Sequence, residues 1–183
     1  EDDRKNIWIA TSNGINCIDY KTKKITRFYP KSINKECTTN IINRLLKHSD
    51  GNVYAFCNRS VFKCSMNQTV ETVFPDIAIP SPTYSVAQAP DKDIYIGTES
   101  NGLYIYSENW KLKKHVPIDG IIATILPDNN GDIWLGLDET GICLFNKNKQ
   151  TFTWLHKDNT NLNNNSIRTF VSYGDSSILV GTF

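Results

Sequence analysis

Apolar residues fall along this chain in short runs of about five, each closed by turn-forming residues, and the runs recur in one order. "DIWLG" from Asp132, "GICLF" from Gly141 and "TFTWL" from Thr151 follow one another with only "LDET" and "NKNKQ" between them. Runs rich in Ile, Val, Thr and aromatics, punctuated by Asn, Asp and Gly, predict strands. The same phrase stands near the N-terminus as "NIWIATSNGINCIDYKTKKITRFYP" and in the middle as "KDIYIGTESNGLYIYSENWKLKKHV", and the closing "SSILVGTF" begins it again. Aligned on positions 8, 54, 95, 134 and 179 (Trp8, Tyr54, Tyr95, Trp134, Leu179), the copies are separated by 46, 41, 39 and 45 residues. A period of about 40 to 45 residues suits four-stranded propeller blades better than shorter helical repeats.

Within a copy, "SIRTFVSY" (Ser166 to Tyr173) predicts an innermost strand, followed by the turn "GDS" and a second strand, "SILVG". The second strands are apolar on both faces, as expected of sheets packed between two neighbours. Gly97, Gly136 and Gly181, with Ala10 at the equivalent place, keep one position small. That predicts close approach of a neighbouring segment. Turns recur at "SDG", "PDKD" and "PDNNGD". "IINRLLKH" reads as helical in isolation but falls where the repeat needs an inner strand. The fold class is therefore all-β, a β-propeller fragment of about four four-stranded blades plus part of another. The blades are placed at about 1–30 (incomplete), about 38–75, about 82–117 and about 120–157, with the start of the next at about 165–183. The first copy lacks an inner strand and the last stops after its second, about 17 strands in all. Such an excerpt of a larger propeller would expose a blade face at each end unless two chains pair, so a homodimer is one expected assembly.

Charge narrows the classes of partner. Twenty Lys and Arg against nineteen Asp and Glu leave a formal net charge of +1, without the basic stripe a nucleic-acid surface needs. The longest apolar run, "IIATIL" (Ile121 to Leu126), is far short of the roughly 20 residues a membrane helix requires. No membrane insertion by this segment is expected, and "EDDRKN" is not a signal peptide. Five cysteines (Cys17, Cys37, Cys57, Cys64, Cys143) show no CxxC or zinc-type spacing. They read first as small apolar fillers of strands. A disulfide is open to them in an oxidising compartment, but sequence does not assign the pair.

One string is more specific than the period. "NTNLNNNSIRTFVSYGDSSILVGTF" resembles the repeat of two-component regulator propellers, in which a Ser/Asn-rich connector leads into an "N-S-I" strand. A turn, an "I-W-I-G-T" strand and a "G-L" strand follow, matched here by "IWIATSNGI", "IYIGTESNGL", "IWLGLDETGI" and "ILVGTF". The copies depart from it in "VYAFCNRSVFKC", at Leu137 and Ala10, and in the proline-rich connector "PDIAIPSPTYSV". The resemblance is to the periplasmic sensor region of Bacteroidetes hybrid two-component histidine kinases. It implies a non-catalytic, extracytoplasmic module of a signalling receptor, flanked by other blades and domains of its parent and responding to carbohydrate. Its parent would be an inner-membrane receptor controlling polysaccharide-utilisation genes.

Catalytic chemistry is sparse in the sequence. His48, His115 and His156 occupy different positions of the repeat and are expected to be structural or solvated. HExxH, GxSxG, phosphate-loop and EF-hand spacings are lacking, and "DNNGD" reads as a tight turn rather than a calcium loop. No catalytic residue, metal site or cofactor is assigned. Loops between second and third strands share one face with the blade connectors, and there Asn13, Arg59, Glu99, Asn101, Asp138 and Glu139 offer donors and acceptors for an oligosaccharide. Plain turn chemistry is the alternative for all six. Glu99 and Asp138 as an acid/base pair is a remoter idea, since nothing in sequence sets their separation. Trp110, in the turn of "SENWKLK", is a candidate for stacking on a sugar or a partner, against packing on its own blade edge. Two other functions remain open. A propeller lyase resembling streptogramin-inactivating enzymes would need a convergent His and acidic site, and a scaffold propeller would bind proteins.

Overall fold

Alternating apolar runs and Asp/Asn/Gly turns build antiparallel sheets throughout. The computed structural model describes residues 1–34, 37–58, 60–73, 79, 81–174 and 177–183. They form two compact units, Glu1–Thr83 and Tyr84–Phe183. In the first, β1 (Ile7–Thr11), β2 (Gly14–Ile18) and β3 (Ile25–Phe28) make a three-stranded sheet, and β4 (Arg44–Lys47), β5 (Val53–Cys57), β6 (Ser60–Cys64) and β7 (Val70–Val73) make a four-stranded one. In the second, β8 (Thr83–Gln88), β9 (Ile94–Thr98), β10 (Leu103–Tyr106) and β11 (Leu112–Val116) form one four-stranded meander. The next is β12 (Ile122–Pro127), β13 (Asp132–Leu137), β14 (Gly141–Asn146) and β15 (Thr151–Leu155), and β16 (Ile167–Tyr173) pairs with β17 (Ser177–Thr182). Sequence neighbours pair in every sheet, as short turns between antiparallel strands require. The first of these sheets has three strands and the last has two.

One element lies outside the all-β expectation. Pro30–Ile33 closes a single helical turn, α1, because Pro30 brings a fixed φ and has no N–H to satisfy at the first position. Of the proline-rich connector "PDIAIPSPTYSV", residues 75–78 and 80 lie outside the described residues.

The second strands are buried along their whole length in β5 and β9. In the first unit the core between the two sheets is built from Trp8, Ile15, Cys17, Ala55, Phe62 and Cys64. In the second unit one core holds Tyr95, Leu103, Ile122, Leu135 and Phe145, and a smaller one gathers Ile142, Ile167 and Phe170. Large apolar side chains also meet solvent, at Ile7 and Ile9 of β1 and at Val171, Tyr173 and Leu179 of the last pair.

The small position of the second strands is where adjacent blades of the second unit touch. A Cβ on Gly97 would lie 2.6 Å from Ile122 Cγ2 and 2.4 Å from Ser85 Oγ, and one on Gly136 would lie 2.5 Å from Ile167 Cγ2 and 2.6 Å from Thr124 Cγ2. Ile122 and Ile167 belong to the following inner strands, so each glycine admits the next blade's isoleucine. The hydroxyl of Ser85 crosses the same seam and donates to Ile122 O at 2.6 Å.

A second device recurs at the turns that enter second strands. Asp2 is buried, and its Oδ1 accepts from the Arg4 and Asn6 amides at 2.9 Å while its Oδ2 accepts from Asn6 Nδ2 and Trp8 Nε1 at 2.9 Å. Asp128 repeats it: Oδ1 accepts from the amides of Asn130 and Asp132, and Oδ2 from Trp134 Nε1 at 3.0 Å. Asp50 Oδ1 likewise accepts from the Asn52 amide, and its Oδ2 accepts from Tyr54 Oη at 2.9 Å. A carboxylate thus caps the turn and fixes the polar edge of the aromatic that enters the core, which keeps both from being buried unpaired. "DNNGD" is this turn.

The asparagine before the inner strand has a double role. Asn40 O accepts from the Gly14 amide at 2.8 Å, and Asn40 Oδ1 accepts from the Lys31 amide at 3.1 Å. Asn165 does the same for Gly141, at 2.7 Å, and for Lys157, at 2.8 Å. Each clasps the loop ahead of a third strand to the connector leading into the next blade.

Candidate functional site

Turn geometry fixes the predicted loop residues first. Asn13 is exposed, between β1 and β2; its amide donates to Thr11 Oγ1 at 3.2 Å, and its Oδ1 accepts from Asn40 Nδ2 at 3.3 Å. Arg59 lies outside the described residues. Asn101, between β9 and β10, is engaged within its own blade. Its amide donates to Thr98 Oγ1 at 3.0 Å, its Nδ2 donates to Tyr104 Oη at 2.7 Å, and its carbonyl lies 2.7 Å from His115 Nε2. His115 in turn stacks on Tyr104, with ring centroids 4.4 Å apart. Glu99 is exposed in the same loop.

Asp138 and Glu139 sit side by side between β13 and β14. Backbone bonds hold this loop on both flanks: the Asp138 amide donates to Ile121 O at 3.0 Å and the Glu139 amide to Ser166 Oγ at 3.2 Å. Glu139 has φ +65° and is exposed, so the turn itself presents its carboxylate to solvent. Asp138 is half-buried. Its Oδ2 pairs with Arg168 Nη1 at 3.1 Å, and its Oδ1 is turned inward with no hydrogen-bond partner among the described residues. The Arg168 guanidinium lies over the Phe183 ring, 4.3 Å from its centroid, and remains substantially exposed. A partly exposed guanidinium backed by an aromatic, beside an exposed carboxylate, offers donors and acceptors of the kind that hydroxyl groups pair with. Arg168 was not singled out in the sequence. Its signal there is only its position, one residue into the strand after "N-S-I".

A cleft of about 310 Å³ in the first unit was also not anticipated; Arg4, Asp19, Tyr20, Lys21, Asn67 and Gln68 line it. Asp19 caps its own turn, and the Thr22 amide and hydroxyl hold its carboxyl below the usual range. Gln68 Nε2 donates to its second oxygen at 2.5 Å. Tyr20 is half-exposed, and Lys23 Nζ lies 4.4 Å from its ring centroid. The "DY" that follows β2 is the sequence signal for this cleft, an aromatic where a turn needs none.

Other predicted side chains serve packing. Trp110 is buried at φ +60°, its ring 6.4 Å from that of Tyr106. His48 is buried at the end of β4, with Nδ1 3.0 Å from Asp50 Oδ1, and His156 stacks beside Trp154 after β15. These contacts of each histidine lie inside its own blade. Among the described residues, no group of three or more His, Cys, Asp and Glu side chains is arranged to hold a metal ion. No described helix is long and apolar enough to cross a membrane.

The strongest electrostatic feature joins two sheets of the second unit. Asp93, nearly buried, accepts from Lys113 Nζ at 2.8 and 2.7 Å and from Lys147 Nζ at 2.6 Å, and Lys147 also pairs with Asp91. Burial alone would lower the Lys147 pKa, but the bonds to Asp91 and Asp93 outweigh it and raise it. Burial alone would raise Asp91, and the Lys147 and Asp93 bonds bring it below its ordinary value. Burial pushes the neighbouring Tyr95 phenol up to about 12.

No protein-family model matches the chain, and no curated protein matches it. Its fold is found in solved structures. One is the extracellular domain of BT4673 from B. thetaiotaomicron, assigned to a hybrid two component system, at 20% identity and a TM-score of 0.77 over 97% of this chain and 25% of that one. Another is the extracellular domain of BT3049 from the same organism, also assigned to a hybrid two component system, at 25% identity and 0.74, over 98% and 25%. A third is virginiamycin B lyase from Staphylococcus aureus, at 18% identity and 0.72, over 97% and 60%. The chain spans about a quarter of the length of the two receptor domains. It therefore has a propeller-type all-β fold, shared with extracellular domains of hybrid two component systems.

Proposed function

We propose that the chain is a non-catalytic recognition module in the extracytoplasmic, periplasmic part of a hybrid two-component receptor, and that its ligand is an oligosaccharide. The observation that supports this most is the fold, which matches those extracellular domains over nearly the whole chain. The carbohydrate part is supported by the loop at Asp138. There the exposed Glu139 and the half-buried Asp138 stand on a rigidly bonded turn, with one buried Asp138 oxygen unpaired and the partly exposed Arg168 guanidinium of β16 on the other. Asn13, Glu99 and Asn101 are the further contacts we assign to the same function, with Arg59 kept from the sequence. Adjacent blades of the parent receptor, and a second receptor copy, are the protein partners this reading requires. A ligand acts on such a receptor only through a difference in affinity between two arrangements of its parts.

Calorimetric titration of the chain with plant and host oligosaccharides tests the reading. One glycan class is expected to bind saturably, and Asp138→Asn and Arg168→Ala are each expected to weaken it about 10-fold or more, as for a lost charge-assisted hydrogen bond. Binding that both variants leave unchanged places the ligand elsewhere, with the Tyr20 cleft as the next test through Tyr20→Ala.

A second reading, a lyase, has one observation in its favour, the likeness to virginiamycin B lyase. Against it stands the placement of the three histidines, each engaged in its own blade. Turnover of a streptogramin B substrate with added magnesium would establish it.

A further inference from the structure

We propose that Cys37 and Cys57 form a disulfide that fastens the connector after α1 to the end of β5. All five cysteines are buried as free thiols, but this pair is placed differently from the rest. Cys57 closes β5 directly opposite Ser60 in the ladder, and the Cys37 thiol reaches that same Ser60, donating to its Oγ at 3.4 Å. The Cys57 thiol points back along the connector and donates to Thr39 O at 3.4 Å, two residues beyond Cys37. The Cys37 thiol thus lies against the ladder partner of Cys57, and the Cys57 thiol against a carbonyl two residues from Cys37. Both belong to the core between the first unit's sheets.

Cys17 and Cys64 share that core, each on a paired strand, β2 and β6. Cys143 is in the other unit, on β14. Of the five cysteines, Cys37 alone lies outside the strands, on the connector after α1.

The oxidant is a disulfide, small-molecule or protein, of the kind an oxidising compartment supplies. One cysteine thiolate attacks it, forming a mixed disulfide and releasing one oxidant sulfur as a thiol. The second cysteine attacks the mixed disulfide, the Cys37–Cys57 bond forms, and the other oxidant sulfur leaves as a thiol. Two electrons and both thiol protons pass to the oxidant. Burial pushes the Cys57 thiol up to about 12, so thiolate is scarce in the folded chain. The bond consequently closes while the connector is still open during folding, and only slowly afterwards.

Whether the bridge exists in cells rests on the extracytoplasmic reading; its formation in the test tube does not. The 183-residue chain is denatured, reduced and refolded with glutathione disulfide, its thiols are counted after denaturation, and its peptides are mapped by mass. Three reactive thiols and one peptide pair joining Cys37 to Cys57 are expected, with a Tm about 6–12 °C above that of the reduced chain. The triple variant C17S/C64S/C143S is expected to form the same bridge, and C37S none. Five reactive thiols after oxidative refolding, a glutathione adduct in place of a bridge, or a bridge mapping to Cys17 and Cys64 would each overturn the proposal. A bridge that forms in the tube but is absent from protein made in its own cells would uphold the pair and refute the compartment.

Discussion

Replacing Gly136 with alanine tests the blade seam with a single methyl group. That methyl would stand 2.5 Å from Ile167 Cγ2 on the next inner strand and 2.6 Å from Thr124 Cγ2 on its own sheet. Ordinary carbon contacts are about 3.5–4.0 Å, so each overlap is about 1 Å. The two methyls come from different strands, so a shift away from one is constrained by the other. Overpacking of this kind costs about 1–3 kcal/mol, and the double clash puts Gly136→Ala near the top of that range. The loss of unfolded-chain freedom that accompanies Gly→Ala returns about 0.4–1 kcal/mol, leaving a net loss of roughly 2 kcal/mol. For a chain of this size that lowers Tm by about 4–8 °C. Urea unfolding followed by tryptophan fluorescence measures it. A double-mutant cycle with Ile167→Ala isolates the cause. Ile167→Ala alone should cost about 2–5 kcal/mol, but the pair together should cost at least 1 kcal/mol less than the sum, since removing Cγ2 makes room for the new methyl. A neutral Gly136→Ala, or costs that add within about 0.5 kcal/mol, would refute the close-approach argument.

Lys147→Met should cost about 1–3 kcal/mol, less than a fully buried pair because Lys113 remains on Asp93 and Lys147 is partly exposed. Its pH signature is sharper. The Asp91 carboxyl is depressed in the folded state, so its contribution is present above its unfolded value near 3.9 and lost as pH falls through the folded value. Lys147 is raised, so its contribution is complete below about 10.4 and lost as pH climbs through its folded value. The variant should flatten both limbs of the stability–pH profile, and unchanged limbs would show that the cluster contributes nothing. Asp128→Ala should cost about 2–3 kcal/mol, because two backbone amides and the Trp134 indole N–H lose their acceptor, whereas Trp134→Phe should cost about 1. Equal costs in chemical unfolding would mean that the indole bond carries the whole effect. Asn165→Ala should loosen the connector at Lys157 and speed amide exchange there, with Gly141 little changed because its bond is to the backbone carbonyl.

What the sequence made legible was whatever repeats locally. The "IW-IG" runs became second strands, the turn signals became turns, and the recurring small residue at positions 97 and 136 became the blade seam, because strand period and turn chemistry act over a few residues. The Asp–Trp bond was visible in principle, as an acidic residue six positions before Trp8 and again before Trp134. Lys147 reaching Asp93 was not legible at all: 54 residues separate them, and only the packing of adjacent sheets brings them together. The candidate loops were legible as turns, and so as polar and exposed. What distinguishes Asp138 from its counterparts is Arg168, supplied by another sheet, and sequence spacing carries no record of that encounter.

The most direct measurement is thermal unfolding of the chain with a panel of plant and host oligosaccharides, followed by mass analysis of each saccharide afterwards. A recognition module predicts a saturable rise in Tm for one glycan class, following about RT ln(1 + [L]/Kd), with that glycan recovered unchanged. A glycan recovered cleaved, or no shift with any saccharide at millimolar concentration, would contradict it.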